Sequence, residues 1–192
     1  MTKPDLIILP GLGGSGKTHW QSLWERDHPR ARRFRPSSWD EPILSDWMAA
    51  LTQAVSAAET PPVLVAHSLS CLLVAHWQKA SALPVAGAFL VGVPDPKAVI
   101  FPPEVGGFAD VPETPFRFPA LIVASSDDPY ATLDHARLRA EQWGAGLVEA
   151  GALGHINGPS GIGDWPQGKG LLAAFVAGTG ANGPTRFATP TG

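Results

Sequence analysis

The stretch Val63-Leu64-Val65-Ala66-His67-Ser68-Leu69-Ser70 limits the possible folds more than any other part of the chain. An apolar run rich in β-branched residues has the composition of a buried strand. It stops at Ser68, and Cys71-Leu72-Leu73-Val74-Ala75-His76-Trp77 reads on as a helix. A strand that passes directly into a helix must bend sharply, and the side chain at the apex stands clear of both elements. The flanking residues have to be small because strand and helix approach closely there. Ala66 and Ser70 meet that need at the two positions where the pattern G-x-S-x-G carries glycine. Ser68 is therefore the candidate nucleophile, with a capping serine in an ordinary strand–turn–helix as the alternative.

The rest of the chain repeats the alternation of strand and helix. Leu6-Ile7-Ile8-Leu9 is a short continuous apolar run, as expected of a strand covered on both faces. Residues 18–27 put Trp20, Leu23 and Trp24 on one helical face, and residues 31–35 form a short, arginine-bearing edge strand. A helix over 42–58 is expected to turn Ile43, Leu44, Trp47 and Leu51 inward. Strands follow at 85–91, 121–124 and 147–149, and helices at 132–143 and 168–177. The Pro-rich excursion over 94–119 has little periodicity and is long for a plain connection. Such an order predicts a parallel sheet with right-handed crossovers, and chemistry beyond the carboxyl ends of its strands. The 192 residues suit one domain, over 1–177, with a Gly/Thr/Pro-rich tail over 178–192 expected to be disordered.

Composition narrows the function further. A net charge of -3 without a Lys/Arg run argues against a nucleic-acid or anionic-membrane surface. The single cysteine, Cys71, excludes an intrachain disulfide and disfavours a Cys-based metal site. No Asp/His cluster has metal-ligand spacing, so neither a metal nor a cofactor is expected. The amino terminus lacks a signal-peptide core, and no apolar run approaches the roughly 20 residues of a membrane span. A cytoplasmic protein acting on a small molecule is expected, as monomer or homodimer.

The loop after the first strand allows two readings. Gly11-Leu12-Gly13-Gly14-Ser15-Gly16-Lys17-Thr18 matches the phosphate-binding pattern G-x-x-x-x-G-K-[ST] between a strand and a helix. A nucleotide-binding protein would also need an acidic strand end for Mg²⁺, for which Asp127 is available, and a base-recognition motif, which is not found. In the rival reading the glycines let the backbone come close to a substrate oxygen. The amides of Leu12 and of Leu69, the residue after the nucleophile, then form an oxyanion hole.

The second reading uses the remaining pieces. Ser125-Ser126-Asp127-Asp128-Pro129-Tyr130 ends one strand with two carboxylates, and Gly154-His155-Ile156-Asn157-Gly158 follows the next. A serine is a weak nucleophile until a neutral imidazole accepts its proton, and a carboxylate fixes the imidazole's tautomer. Ser68, Asp128 and His155 fill those roles in the order Ser, Asp, His, with Asp127 as the fallback orienter. Gly11, Gly13, His67 and Asn157 are expected to border the substrate. Cys71 reads as a small buried hydrophobe.

These strings, with His19-Trp20-Gln21-Ser22, Trp39-Asp40-Glu41-Pro42, Ser160-Gly161 and Trp165-Pro166-Gln167-Gly168, resemble the small serine hydrolases related to retinoblastoma-binding protein nine, in their bacterial esterase-like branch. The resemblance covers nearly the whole chain. It implies a minimal α/β-hydrolase fold, a three-layer sandwich with a six-stranded parallel sheet of order 2-1-3-4-5-6 and no large lid domain. It also implies a Ser68–Asp128–His155 triad, and makes Lys17-Thr18 a coincidence. The departure is Ser70, where most hydrolases carry glycine. The expected activity is hydrolysis of small, short-chain acyl esters through an acyl-enzyme on Ser68. A non-catalytic interaction module with a vestigial triad is the further alternative, because some members of the wider family are known as binding proteins.

Overall fold

The computed structural model describes residues 4–180. Six parallel strands run in the order β2-β1-β3-β4-β5-β6. They are β1 (Leu6–Leu9), β2 (Ala31–Arg33), β3 (Val63–His67), β4 (Gly87–Val91), β5 (Ala120–Ala124) and β6 (Gly146–Glu149). Five α-helices connect and close the sheet: α1 (Trp20–Asp27), α2 (Leu44–Ser56), α3 (Leu69–Ala80), α4 (Leu133–Trp143) and α5 (Pro166–Gly178). The three central strands β1, β3 and β4 are buried along their whole length, as their unbroken apolar runs require.

Alternate side chains of each strand feed two separate cores, because successive residues point to opposite faces of a sheet. Ile7, Leu9, Leu64, Ala66, Leu90 and Ile122 pack with residues of α2, α3 and α4. Leu6, Ile8, Val63, Val65, Phe89 and Val123 pack instead with Trp20, Trp24, Leu172 and Val176 of α1 and α5. The result is three layers, helix on sheet on helix.

The strand order places the site. Leu9 lies opposite Ala66, and His67 lies opposite Val91. The chain leaving β1 at Pro10 therefore emerges beside the β3–α3 turn. Val91 in turn faces Val123, and Ala124 faces Glu149, so the loops after β5 and β6 open on the same edge.

Two local expectations change. Ile43 is 64% exposed rather than inward, because it precedes α2 as an extended N-cap while Trp47, Leu51 and Val55 make the buried face. The excursion after β4 contains a 3-10 helix at Pro103–Phe108, which drives Val105 and Phe108 into the core against α3. His135 is buried on α4 and faces Asp95, which opens that excursion, at 3.5 Å. The tail expected from residue 178 lies outside the described residues from 181 onward, and α5 runs through Gly178. Among the described residues no helix is long and apolar enough to cross a membrane.

Candidate active site

Ser68 stands between β3 and α3 with φ 54 and ψ -125, a conformation that L-residues avoid. Strain of this kind persists only where the surroundings hold it. Here the Ser68 amide donates to Val91 O at 2.9 Å, and its carbonyl accepts from the Cys71 amide at 2.8 Å. Smallness at the flanks is also observed. Ala66 is fully buried, and Ser70 is buried with its hydroxyl donating to Pro10 O at 2.5 Å. The residue that departs from glycine thus ties the nucleophile helix to the β1 loop. Gly11 lies so close that a Cβ there would stand 2.9 Å from the Ser68 Cβ.

Ser68 Oγ donates to His155 Nε2 at 2.8 Å. His155 Nδ1–H lies 2.9 Å from both carboxylate oxygens of Asp128. That carboxylate is nearly closed to solvent, with 4% of its side chain exposed, and accepts a further bond from the Tyr130 amide at 2.9 Å. The structure thereby brings Ser68, His155 and Asp128 into one hydrogen-bonded line. Asp127 is not part of it. Its Oδ1 accepts from Ser125 Oγ and from the Gly154 amide, both at 2.7 Å, and Ser125 Oγ accepts from the Leu153 amide. These bonds hold the Asp127 carboxyl below its ordinary range, the Ser125 hydroxyl first and the Gly154 amide next. Asp127 clamps the end of β5 to the loop that carries His155.

The amides of Leu12 and Leu69 have no protein acceptor among the described residues. Both residues line a cavity of about 480 Å³ that opens over Ser68 and is also bordered by Gly11, His67, His155 and Asn157. Leu69 is the first residue of α3, so its amide lies at the positive end of a helix dipole. Gly13 departs from expectation. Its amide donates to Trp39 O at 2.9 Å and it does not border the cavity. Its role is to carry a positive φ of 75 through the turn.

The same contacts oppose the phosphate-loop reading. A phosphate cradle needs free amides and a lysine in the first turn of the helix. Gly13 and Gly14 donate to Trp39 O and Gly11 O, α1 begins only at Trp20, and Lys17 is exposed outside the cavity.

Several roles escaped the sequence reading, although His67 was expected to border the substrate and Cys71 to be buried. His19, 6% exposed, caps α1 by accepting the Gln21 amide on Nδ1 at 3.2 Å. Burial, with Arg33 and His155 nearby, lowers its pKa to about 4. His67 Nε2–H donates to the backbone carbonyl of His155 at 2.9 Å, and burial pushes its pKa well below the ordinary value. The rings of His19, His67 and His155 follow one another at 4.9 Å between centroids. Trp20 Nε1 donates to Ile156 O at 2.8 Å, where the chain turns through a positive φ of 49. Only the string His19-Trp20 hinted at these roles, since a capping imidazole has no fixed sequence signal. Cys71 is fully buried, which pushes its thiol pKa up. Among the described residues no group of three His, Cys, Asp or Glu side chains could hold a metal ion.

A parallel sheet of this order, with a strand-to-helix serine and a histidine beyond the last strand, defines an α/β-hydrolase fold. The chain belongs to the serine hydrolase family, whose model matches residues 6–174. A YdeN-like hydrolase from Pectobacterium atrosepticum is similar over 91% of each chain, with 31% identity and a TM-score of 0.81. The ydeN gene product of B. subtilis shares the fold at 20% identity and TM-score 0.74, over 91% of this chain and all of that one. An esterase domain from a Rhodothermus marinus protein does so at 17% identity and TM-score 0.66, over 91% and 88% of the two chains. No match was found among curated proteins.

Proposed function

We propose that this serine hydrolase is a carboxylesterase acting on small esters with short acyl groups, through an acyl-enzyme on Ser68. The observation that carries the reading is the 2.8 Å bond from Ser68 Oγ to an imidazole whose other nitrogen is held by Asp128. His155 Nε2 takes the serine proton as Oγ attacks the ester carbon. The oxyanion that forms is received by the Leu12 and Leu69 amides, and donors held by the backbone cost little reorganisation. His155 then protonates the departing alcohol, and water repeats the sequence to release the acid. Asp128 keeps the proton on Nδ1, so that Nε2 is free to act as base. Phe101, Pro102 and Val105 of the excursion line the cavity and limit the acyl chain that fits beside Ser68. The reaction needs no metal or cofactor, and it suits a cytoplasmic enzyme with a small-molecule partner.

The test is intact mass after exposure to a fluorophosphonate, with p-nitrophenyl acetate turnover measured alongside. One adduct is expected on the native chain and none on Ser68→Ala. Ser68→Ala should lower kcat by roughly 10⁴- to 10⁶-fold. A folded protein that takes no adduct and cleaves no ester would instead be a binding module with a vestigial triad.

A further inference from the structure

The cavity over Ser68 is lined by side chains of unlike kinds. One kind is apolar, with Phe101, Pro102 and Val105 of the excursion. The other is built from Thr18 and His19, ahead of α1, and Asn157, two residues beyond His155. Its two halves face each other, because a Cβ on Gly158 would stand 4.0 Å from Thr18 Oγ1.

Each of the three polar side chains has hydrogen-bonding capacity that the protein leaves unused. His19 Nδ1 accepts the Gln21 amide, so its proton is on Nε2, and that N–H has no protein acceptor among the described residues. Asn157 Oδ1 accepts from the Ser160 amide and hydroxyl, which leaves its NH₂ group to the cavity. Thr18 Oγ1 has no hydrogen-bond partner among the described residues. None of the three is charged at neutral pH, and Lys17 next door does not border the cavity. A wall of neutral donors and acceptors recognises hydroxyl groups, whereas an anionic group would call for Arg or Lys.

Asn157 lies two residues beyond His155, and His19 is linked to His155 through the His67 ring, so this polar group borders the general acid. As the tetrahedral intermediate collapses, the ester C–O bond breaks and the leaving oxygen takes its proton from His155 Nε2. The alcohol half of the ester therefore lies beside His155, where the polar group borders the cavity.

We propose that Thr18, His19 and Asn157 form a leaving-group subsite that selects esters of an uncharged polyhydroxy alcohol, such as a glycerol or sugar unit. The proposal rests on the esterase reading above.

Two acetates differing only in the alcohol test it, glycerol monoacetate and propyl acetate, each followed by titration of released acetic acid. The native protein should favour glycerol monoacetate in kcat/KM by at least about fivefold, the effect of two neutral hydrogen bonds. Thr18→Val preserves the shape of an exposed side chain and should lower that ratio roughly 2- to 10-fold. His19→Asn keeps a capping acceptor for Gln21 and should lower it by a similar factor. A native ratio near one, or a ratio that neither substitution lowers, overturns the subsite and leaves the esterase reading standing. If neither acetate nor p-nitrophenyl acetate is cleaved, the esterase reading falls and the subsite with it. Preference for an acetylated glycerol phosphate over glycerol monoacetate would also overturn the subsite, because the wall offers no cation.

Discussion

Two adjacent carboxylates after β5 have different work. Asp128 turns inward and holds the His155 ring, while Asp127 bonds the backbone of the loop that carries it. Replacing Asp128 by Asn offers the imidazole the wrong partner and leaves the fold in place. Its kcat should fall by roughly 10³- to 10⁴-fold with little change in melting temperature. Asp127→Ala leaves the Ser125 hydroxyl and Gly154 amide without their acceptor, so the melting temperature should drop visibly. Thermal melts and p-nitrophenyl acetate turnover on both variants decide the matter. A larger thermal loss for Asp128→Asn than for Asp127→Ala would reverse the assignment. Both residues were visible in the sequence as candidates. The sequence put Asp128 forward with Asp127 as the fallback, since a turn before proline offers either side chain similar options, and it is Asp128 that bonds His155.

The closing helix α5 reaches the site through aromatic rings. Trp165 precedes it in a left-handed conformation, stacks on Trp24 at 5.7 Å and meets Trp20 edge-on at 5.2 Å. Trp20 in turn holds Ile156 O, next to His155. The Trp165 indole lies directly over Gly168, and a Cβ there would stand 2.1 Å from its Cε3. Gly168→Ala is therefore expected to cost roughly 1–3 kcal/mol in urea unfolding, the usual cost of overpacking. It should also lower kcat, because displacement of Trp165 loosens the His155 loop. Unchanged stability would mean that the indole simply rotates away. Gly87 does similar work at the sheet, where a Cβ would stand 2.8 Å from the Phe175 ring of α5. In the sequence both glycines look like weak points of a strand and a helix, and their purpose is apparent only once α5 is docked.

At the scale of the molecule, burial of neutral histidines ties stability to pH. The folded state resists protonating His19 until about pH 4, whereas the unfolded chain binds that proton near pH 6.5. Stability from this group is complete above pH 6.5 and drains away as the pH falls toward 4, because the unfolded state then holds more protons. The shift corresponds to about 3 kcal/mol, and His67 acts in the same direction. Urea titrations at pH 7 and pH 4 should show the loss, and His19→Asn should flatten the slope. An identical slope in that variant would place the acid sensitivity elsewhere. By itself the sequence determined the strand–helix alternation, the serine at the turn and the histidine loop. Local composition is enough for these: continuous β-branched runs make buried strands, and small residues permit a sharp turn. Only the tertiary structure decided that Asp127 clamps the loop of His155, that Ser70 bonds Pro10, that Gly13 serves the turn and that His19 stays neutral beside the site. Those outcomes depend on which side chains from distant segments meet at the carboxyl edge of the sheet, and on how little water is left between them.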